Sequence, residues 1–229
     1  MIAAIFDLDG TLCTGHIVEG IAHHHRVHRV KRLPLYTFMA THMALWPLYR
    51  LGLMSEAAMR ELWTRDLGWT VRGWTPEEAA TAFAWIAEHY VRPLVRHDVM
   101  ARLRAHQAAG QRVIVVSGTP APLLAEIGRQ LGVGETVGTP LVLRGGRYSG
   151  ACELPVCHGV DKVSRLEAYL QGANDILWSQ SYAYADSFTD LPLLTRVGHP
   201  VAVYPDSQLA AHARALGWEI LSGVSPVNG

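Results

Sequence analysis

Two carboxylates two residues apart, Asp7 and Asp9, close an apolar run that begins at Met1. In an extended chain, residues i and i+2 point to the same side. Gly10 then lets the backbone turn. Acidic groups this close, with no basic neighbour in sequence, repel one another, so a cation should hold them. A hard, oxygen-seeking ion such as Mg²⁺ suits carboxylates. The competing local reading is a strand followed by an Asx-type turn, in which Asp and Gly serve only the backbone.

Three later groups could join that chemistry. Ser117-Gly118-Thr119 follows the apolar stretch Arg112 to Val116. A hydroxyl beside a glycine-softened backbone can donate hydrogen bonds to a phosphate oxygen, although ordinary strand-to-helix turns use the same residues. Lys162 stands near the start of a helical stretch, where a cation opposes the helix dipole unless an anion compensates. Read alone, it is a solvated lysine. Asp186 and Asp190 are four residues apart, a spacing that sets both on one side of a helical turn, and helix capping is the alternative role.

The elements that must position these groups alternate. Met1 to Phe6 reads as a buried strand. From 17 to 32 the pattern is helical until Pro34 breaks it, and Leu35 to Leu53 is a second apolar helix that Pro47 should bend. Ser55 caps a third helix, through Leu67. Thr75-Pro76-Glu77-Glu78 opens a fourth, running to about His89 or Tyr90. Residues 15–92 therefore read as an inserted helical lid without strands, over a core formed by 1–14 and 93–229.

In that core, helices are expected at Asp98–Ala109, Pro122–Leu131, Val160–Leu170, Leu191–Arg196 and Ser207–Leu216. Strands are expected at Arg112–Val116, Thr136–Leu143, Arg147–Ala151, within Asp175–Ala185, at Val201–Tyr204 and at Trp218–Leu221. Gly145-Gly146 marks a hairpin. Such alternation implies an α/β fold with a doubly wound, mainly parallel sheet, whose ligands bind at the carboxyl ends of the strands.

Composition bounds the partners. The 229 residues carry 20 Lys+Arg and 20 Asp+Glu, a balance that argues against nucleic acid. Hydrophobic residues make up 49%, enough for a core. Cys13, Cys152 and Cys157 are too few and too irregular for a disulfide framework. Although Cys152 and Cys157 could pair, an unpaired third thiol fits a reducing cytoplasm better. Asp7 and Asp9 interrupt the N-terminal apolar run, so no secretory signal is read. The longest candidate for a membrane span, Leu33 to Trp46, is too short and contains His42.

Asp7-Leu8-Asp9-Gly10-Thr11, Ser117-Gly118-Thr119, Lys162 and Asp186 with Asp190, in this order, resemble the four motifs of the haloacid dehalogenase (HAD) superfamily. The long helical insertion and the phrase Ala185-Asp186-Ser187…Asp190-Leu191-Pro192-Leu193-Leu194 are similar to subfamily IB, the phosphoserine phosphatase-like branch. The resemblance implies a HAD-like Rossmannoid core with a helical cap, and a phosphatase acting on a small phosphomonoester through an aspartyl-phosphate. Asp7 would be the nucleophile and Asp9 the general acid and base. Mg²⁺ would be held by Asp7, the main-chain carbonyl of Asp9, and Asp186, with Asp190 behind them. Ser117, Gly118 and Lys162 would bind the phosphoryl oxygens. A phosphotransferase, a phospholipid-headgroup phosphatase or a non-catalytic phosphate-binding protein could use the same site. Oligomeric state is left open.

Two positions depart from the branch. Asp161 precedes Lys162 where Gly is common. His16 stands where a cap Glu reads the substrate amine in phosphoserine phosphatases, with Glu19 three residues on, which argues against phosphoserine. In the insertion, His24 and His28 have metal-ligand spacing but no acidic or thiol partner nearby, so a solvated face is preferred. The basic run Arg26 to Arg32 beside Leu35 to Leu53 could steer anions or touch phospholipid headgroups. The simpler reading is a cap core with a solvated face. Trp63, Trp69, Trp74 and Trp85 read as packing.

Overall fold

The computed structural model describes residues 1–170 and 176–222. The chain starts with β1 (Ala3–Phe6), then runs through α1 (Ile17–Val27), α2 (Arg32–Arg50), α3 (Glu56–Asp66) and α4 (Pro76–Ile86). It continues through α5 (His97–Ala108), β2 (Arg112–Pro120), α6 (Ala121–Leu131), β3 (Glu135–Thr139), β4 (Leu141–Arg144) and β5 (Arg147–Cys152). The last part holds α7 (Val160–Tyr169), β6 (Tyr182–Ala185), α8 (Leu191–Leu194), β7 (His199–Val203), α9 (Ser207–Leu216) and β8 (Glu219–Leu221). The expected strand within Asp175–Ala185 is β6, and Asp175 itself lies outside the described residues.

Six strands form one sheet in the order β3-β2-β1-β6-β7-β8, and every pairing is parallel. From β1 the chain winds one way through β2 and β3, then the other way through β6, β7 and β8. The switch point lies between β1 and β6, where open α/β sheets bind ligands. Alternating side chains divide between two cores. Phe6, Val113, Val115 and Tyr184 face α5, α6 and the helical insertion, whereas Ile5, Ile114, Val116 and Ala183 face α7, α8 and α9. The Phe6 ring is fully buried and stacks on Tyr184 with centroids 4.3 Å apart.

Several boundaries differ from expectation for local reasons. The first helix stops at Val27, because the chain turns through Arg29 and Lys31, both at positive φ. Pro34 then sits inside the first turn of α2, where a missing N–H leaves no intrahelical bond unmade. Pro47 is accommodated near the end of α2, which continues to Arg50. Thr136–Leu143 is two strands divided at Pro140: β3 joins the parallel sheet and β4 pairs antiparallel with β5. β2 runs on through Ser117-Gly118-Thr119, with its register shifting between Val116 and Pro120. The capping box of α4 is as expected: Glu78 N–H donates to Thr75 Oγ1 and the Glu78 carboxylate accepts from Thr75 N–H.

The β4–β5 hairpin packs on the helical insertion through main-chain bonds, Gly73 N–H to Tyr148 O at 2.7 Å and Tyr148 N–H to Trp74 O at 2.8 Å. Cys13, Cys152 and Cys157 are buried free thiols. Among the described residues, no helix is long and apolar enough to cross a membrane.

Because Phe6 has no exposed surface and stacks at the sheet centre, Phe6→Ala should lower unfolding free energy by about 3–5 kcal/mol in urea titrations. A loss below about 1 kcal/mol would show that this ring does not anchor the sheet.

Candidate active site

β1 ends at Phe6, and Asp7 N–H continues the sheet by donating to Tyr184 O at 3.0 Å. This fixes the Asp7 backbone at the switch point while its side chain leaves the sheet edge. β6 delivers Asp186 from the neighbouring strand, and the turn after it delivers Asp190. Ser117 comes from β2 on the other side of β1. α7 brings Lys162 in its first turn.

Lys162 is the hub. Its Nζ donates to Asp7 Oδ1 at 2.6 Å and lies 2.7 Å from Asp190 Oδ1, and all three side chains are buried. These two acids are the anions that the lysine's place at a helix start requires. Asp161 is not its partner. One ligand atom from each of Asp7, Asp186 and Asp190 lies within 4.8 Å of the others. Three converging carboxylates with one ammonium leave an acidic excess, and their oxygen atoms suit a hard divalent cation such as Mg²⁺. Asp190 therefore belongs to the same acidic group as Asp7 and Asp186.

The surrounding turns are built for this approach. Gly10 has φ +80°, and a Cβ there would overlap the Asp186 carboxylate, so only glycine fits. Thr11 Oγ1 donates to Asp186 Oδ1 at 2.9 Å. Ser117 Oγ lies 3.0 Å from Thr119 Oγ1 and accepts from Thr119 N–H. A Cβ on Gly118 would come within 3.1 Å of Thr64 on α3, so the insertion closes onto this loop. Asp9 lines the same cavity but accepts from Ile17 N–H at 3.1 Å, which ties it to the first turn of α1.

Charge follows this geometry. Burial pushes the Asp7 carboxyl up; the Lys162 ammonium opposes this, and Asp190 and Asp186 add to it. Burial raises Asp9 to about 6, against the pull of His16 and the Ile17 hydrogen bond. Burial likewise raises Asp186, with the Thr11 hydrogen bond opposing. For Lys162 burial works against the charge, but Asp190 and Asp7 hold its pKa above the ordinary value.

These residues floor a cavity of about 530 Å³. Its roof includes His16 and Glu19 of the α1 turn, Trp46 and Tyr49 of α2, and Arg60 and Trp63 of α3. Trp63 therefore faces the cavity as well as packing on Phe38 and His42, more than the packing role read from sequence. Glu19 is fixed by Tyr90, whose hydroxyl donates to it at 2.7 Å. The sequence reading did not single out Thr119, His158, Trp46 or Arg60, all of which line the cavity. Thr119 ends the Ser117-Gly118-Thr119 motif. The others carry no motif, and His158 Nε2 is buried without a hydrogen-bond partner. Among the described residues His24 and His28 belong to no metal-binding group: their rings lie tilted with centroids 4.6 Å apart, and His24 Nδ1 faces His25 Nδ1 at 3.1 Å. Burial pushes His24 down to about 4.

Comparison with known proteins agrees with this frame. The model of the haloacid dehalogenase-like hydrolase family matches residues 4–195, and the chain belongs to that family. A probable phosphatase of Mycobacterium tuberculosis is 31% identical over 156 residues, 68% of this chain and 54% of that protein. A phosphoserine phosphatase of the same organism is 27% identical over 226 residues, 95% of this chain and 70% of that protein. The chain thus spans about half the length of the first of these relatives. A crystal structure of a Bordetella pertussis Tohama I protein of unknown function superposes with a TM-score of 0.80 at 27% identity, covering 97% of this chain and 99% of that one.

The raised carboxyls of Asp7, Asp9 and Asp186 favour the folded state in their protonated forms. That contribution is complete below pH ~4 and is lost as pH rises through their folded values, about 6 for Asp9. A bound divalent cation reverses the loss, so Mg²⁺ should raise the unfolding temperature more at pH 7.5 than at pH 5. Equal shifts at both would contradict the carboxylate cluster as the binding site. Lys162→Met strands two buried carboxylates and should cost about 3–5 kcal/mol at pH 7.5 in EDTA, less at pH 5. Denaturant midpoints at the two pH values check this.

Proposed function

We propose that this protein is a Mg²⁺-dependent phosphatase that hydrolyses a small phosphomonoester through an aspartyl-phosphate on Asp7. The observation that carries the reading is the Asp7 carboxylate held by a buried ammonium at the floor of a cavity, within one acidic group with Asp186 and Asp190. We read residues 15–92 as the lid that chooses the leaving group, over a core of 1–14 and 93–229.

Lys162 occupies Asp7 Oδ1, which leaves Oδ2 to attack phosphorus. The bond to the leaving alkoxide breaks as Asp9 supplies its proton. Raised to about 6, the Asp9 carboxyl is partly protonated near neutrality, as a general acid must be. Asp9 then takes a proton from water as it attacks phosphorus, and the bond to Asp7 breaks. Ser117 Oγ, the Gly118 N–H and Lys162 Nζ would bind the phosphoryl oxygens, easing repulsion between the anionic nucleophile and the anionic ester. Mg²⁺, held by Asp7, the Asp9 carbonyl and Asp186 with Asp190 supporting, would neutralise charge that develops on the phosphoryl group.

Among its relatives one is a phosphoserine phosphatase, so an amino-acid phosphate is the first substrate to try. His16 on the cavity wall, in the place of the amine-reading Glu, shifts that task to Glu19 one turn further along. The aromatic rings of Trp46, Tyr49 and Trp63 favour a leaving group with apolar surface beside its charge.

Asp7→Asn should lower kcat by about 10³-fold or more while leaving the far-UV spectrum unchanged. Chelation with EDTA should stop wild-type turnover and Mg²⁺ should restore it. Turnover retained in the Asn variant removes the covalent route, and indifference to EDTA removes the metal. A panel of amino-acid, sugar, choline-type and glycerol-type phosphates names the substrate.

A further inference from the structure

We infer that α2 is an interfacial helix that docks the protein onto an anionic phospholipid surface. The helix buries Leu35, Phe38 and His42 on its inner side. On the outer side Leu33, Tyr36, Ala40, Met43, Pro47 and Leu51 recur at intervals of three and four, and all are exposed. Leu33 is 78% exposed, Met43 56% and Leu51 72%. Leu33, Tyr36, Met43 and Leu51 are four of the fifteen exposed large apolar side chains among the described residues, and they follow one stripe, which is more than scattered single exposure.

Charge identifies what covers it. From Gly20 to Ser55 the chain holds Arg26, Arg29, Lys31, Arg32 and Arg50 and no Asp or Glu. No residue from Leu33 to Tyr49 carries a fixed charge, so the cations stand at the two ends of the apolar face. Lys31 is engaged with the Arg72 carbonyl and the Trp74 ring, and Arg32 donates to the Arg26 carbonyl at 3.5 Å, but no ion pair among the described residues engages Arg26, Arg29, Arg32 or Arg50. Two copies packed through this face would set cations against cations whichever way the helices ran. An anionic bilayer complements both features: the apolar side chains enter the acyl boundary while the arginines meet headgroup phosphates. Trp46, 48% exposed, belongs to this helix and also to the cavity wall, so docking would set the cavity mouth close to the membrane surface.

The test is co-sedimentation of the full chain with phosphatidylcholine vesicles that contain increasing phosphatidylglycerol, at low and high salt. Wild type should partition onto vesicles in proportion to the anionic fraction and release in high salt. A triple variant Arg26→Gln, Arg29→Gln, Arg32→Gln should bind at least tenfold less, and so should Leu33→Ser, Tyr36→Ser, Met43→Ser, although its charge is unchanged. Each variant is checked by its thermal unfolding and by turnover of a soluble phosphomonoester, which should match wild type. Equal partitioning of wild type and both variants, or no binding to anionic vesicles at low salt, overturns the inference. So does light scattering that shows a wild-type dimer which the apolar variant dissolves, since a second copy then covers the face. None of these readings depends on whether the enzyme turns over through Asp7.

Discussion

One ammonium group placed between two buried carboxylates organises this molecule. Lys162 reaches both Asp7 and Asp190, and neither acid has another cationic partner among the described residues. In a poorly screened interior, like charges at this separation raise one another's pKa and would drive the acids to their neutral forms. The lysine offsets part of that repulsion, and Asp186 adds to the acidic excess that remains. The result is an acidic site whose charge a further cation would offset at neutral pH, with Lys162 bonded to only one oxygen of Asp7.

The fold supplies this arrangement with few parts. Asp7 and Asp186 leave adjacent parallel strands at the switch point, so their separation is set by the sheet. Gly10 lets the first turn pass directly over the Asp186 carboxylate. Asp9 is joined to the lid and not to the acidic cluster, since it holds the first free N–H of α1. Any motion of α1 would therefore move the Asp9 carboxyl. The insertion touches the core again at Thr64 and Gly118, which encloses the cavity from the opposite side.

Much of this was legible because the groups concerned obey strong local rules. An apolar run ending in Asp7 and Asp9 states its own strand and turn. A lysine in the first turn of a helix reads alone as solvated; only together with the other motifs does it call for anions, and the structure buries it between two. The boundaries that moved are places where local rules conflict. Pro34 reads as a helix breaker, yet in a first turn it is harmless. Thr136–Leu143 has the apolar pattern of one strand, and Pro140 hands its halves to different sheets. The roof of the cavity was not legible. Trp46, Arg60 and His158 come from helices and a turn whose convergence depends on how the insertion packs, and no spacing in the sequence encodes that. The exposed face of α2 was not legible for the same reason: an apolar helix looks like core until packing shows which side is covered.

The central claim, that a buried ammonium presents Asp7 to phosphorus, is tested most directly by chemical trapping. The protein would be mixed with a turning-over phosphomonoester and Mg²⁺, then reduced with borohydride, which converts an acyl phosphate to an alcohol. Peptide mass spectrometry should find homoserine at position 7, and only when substrate is present. Homoserine at position 9, 186 or 190, or no reduction at all during turnover, would contradict the account.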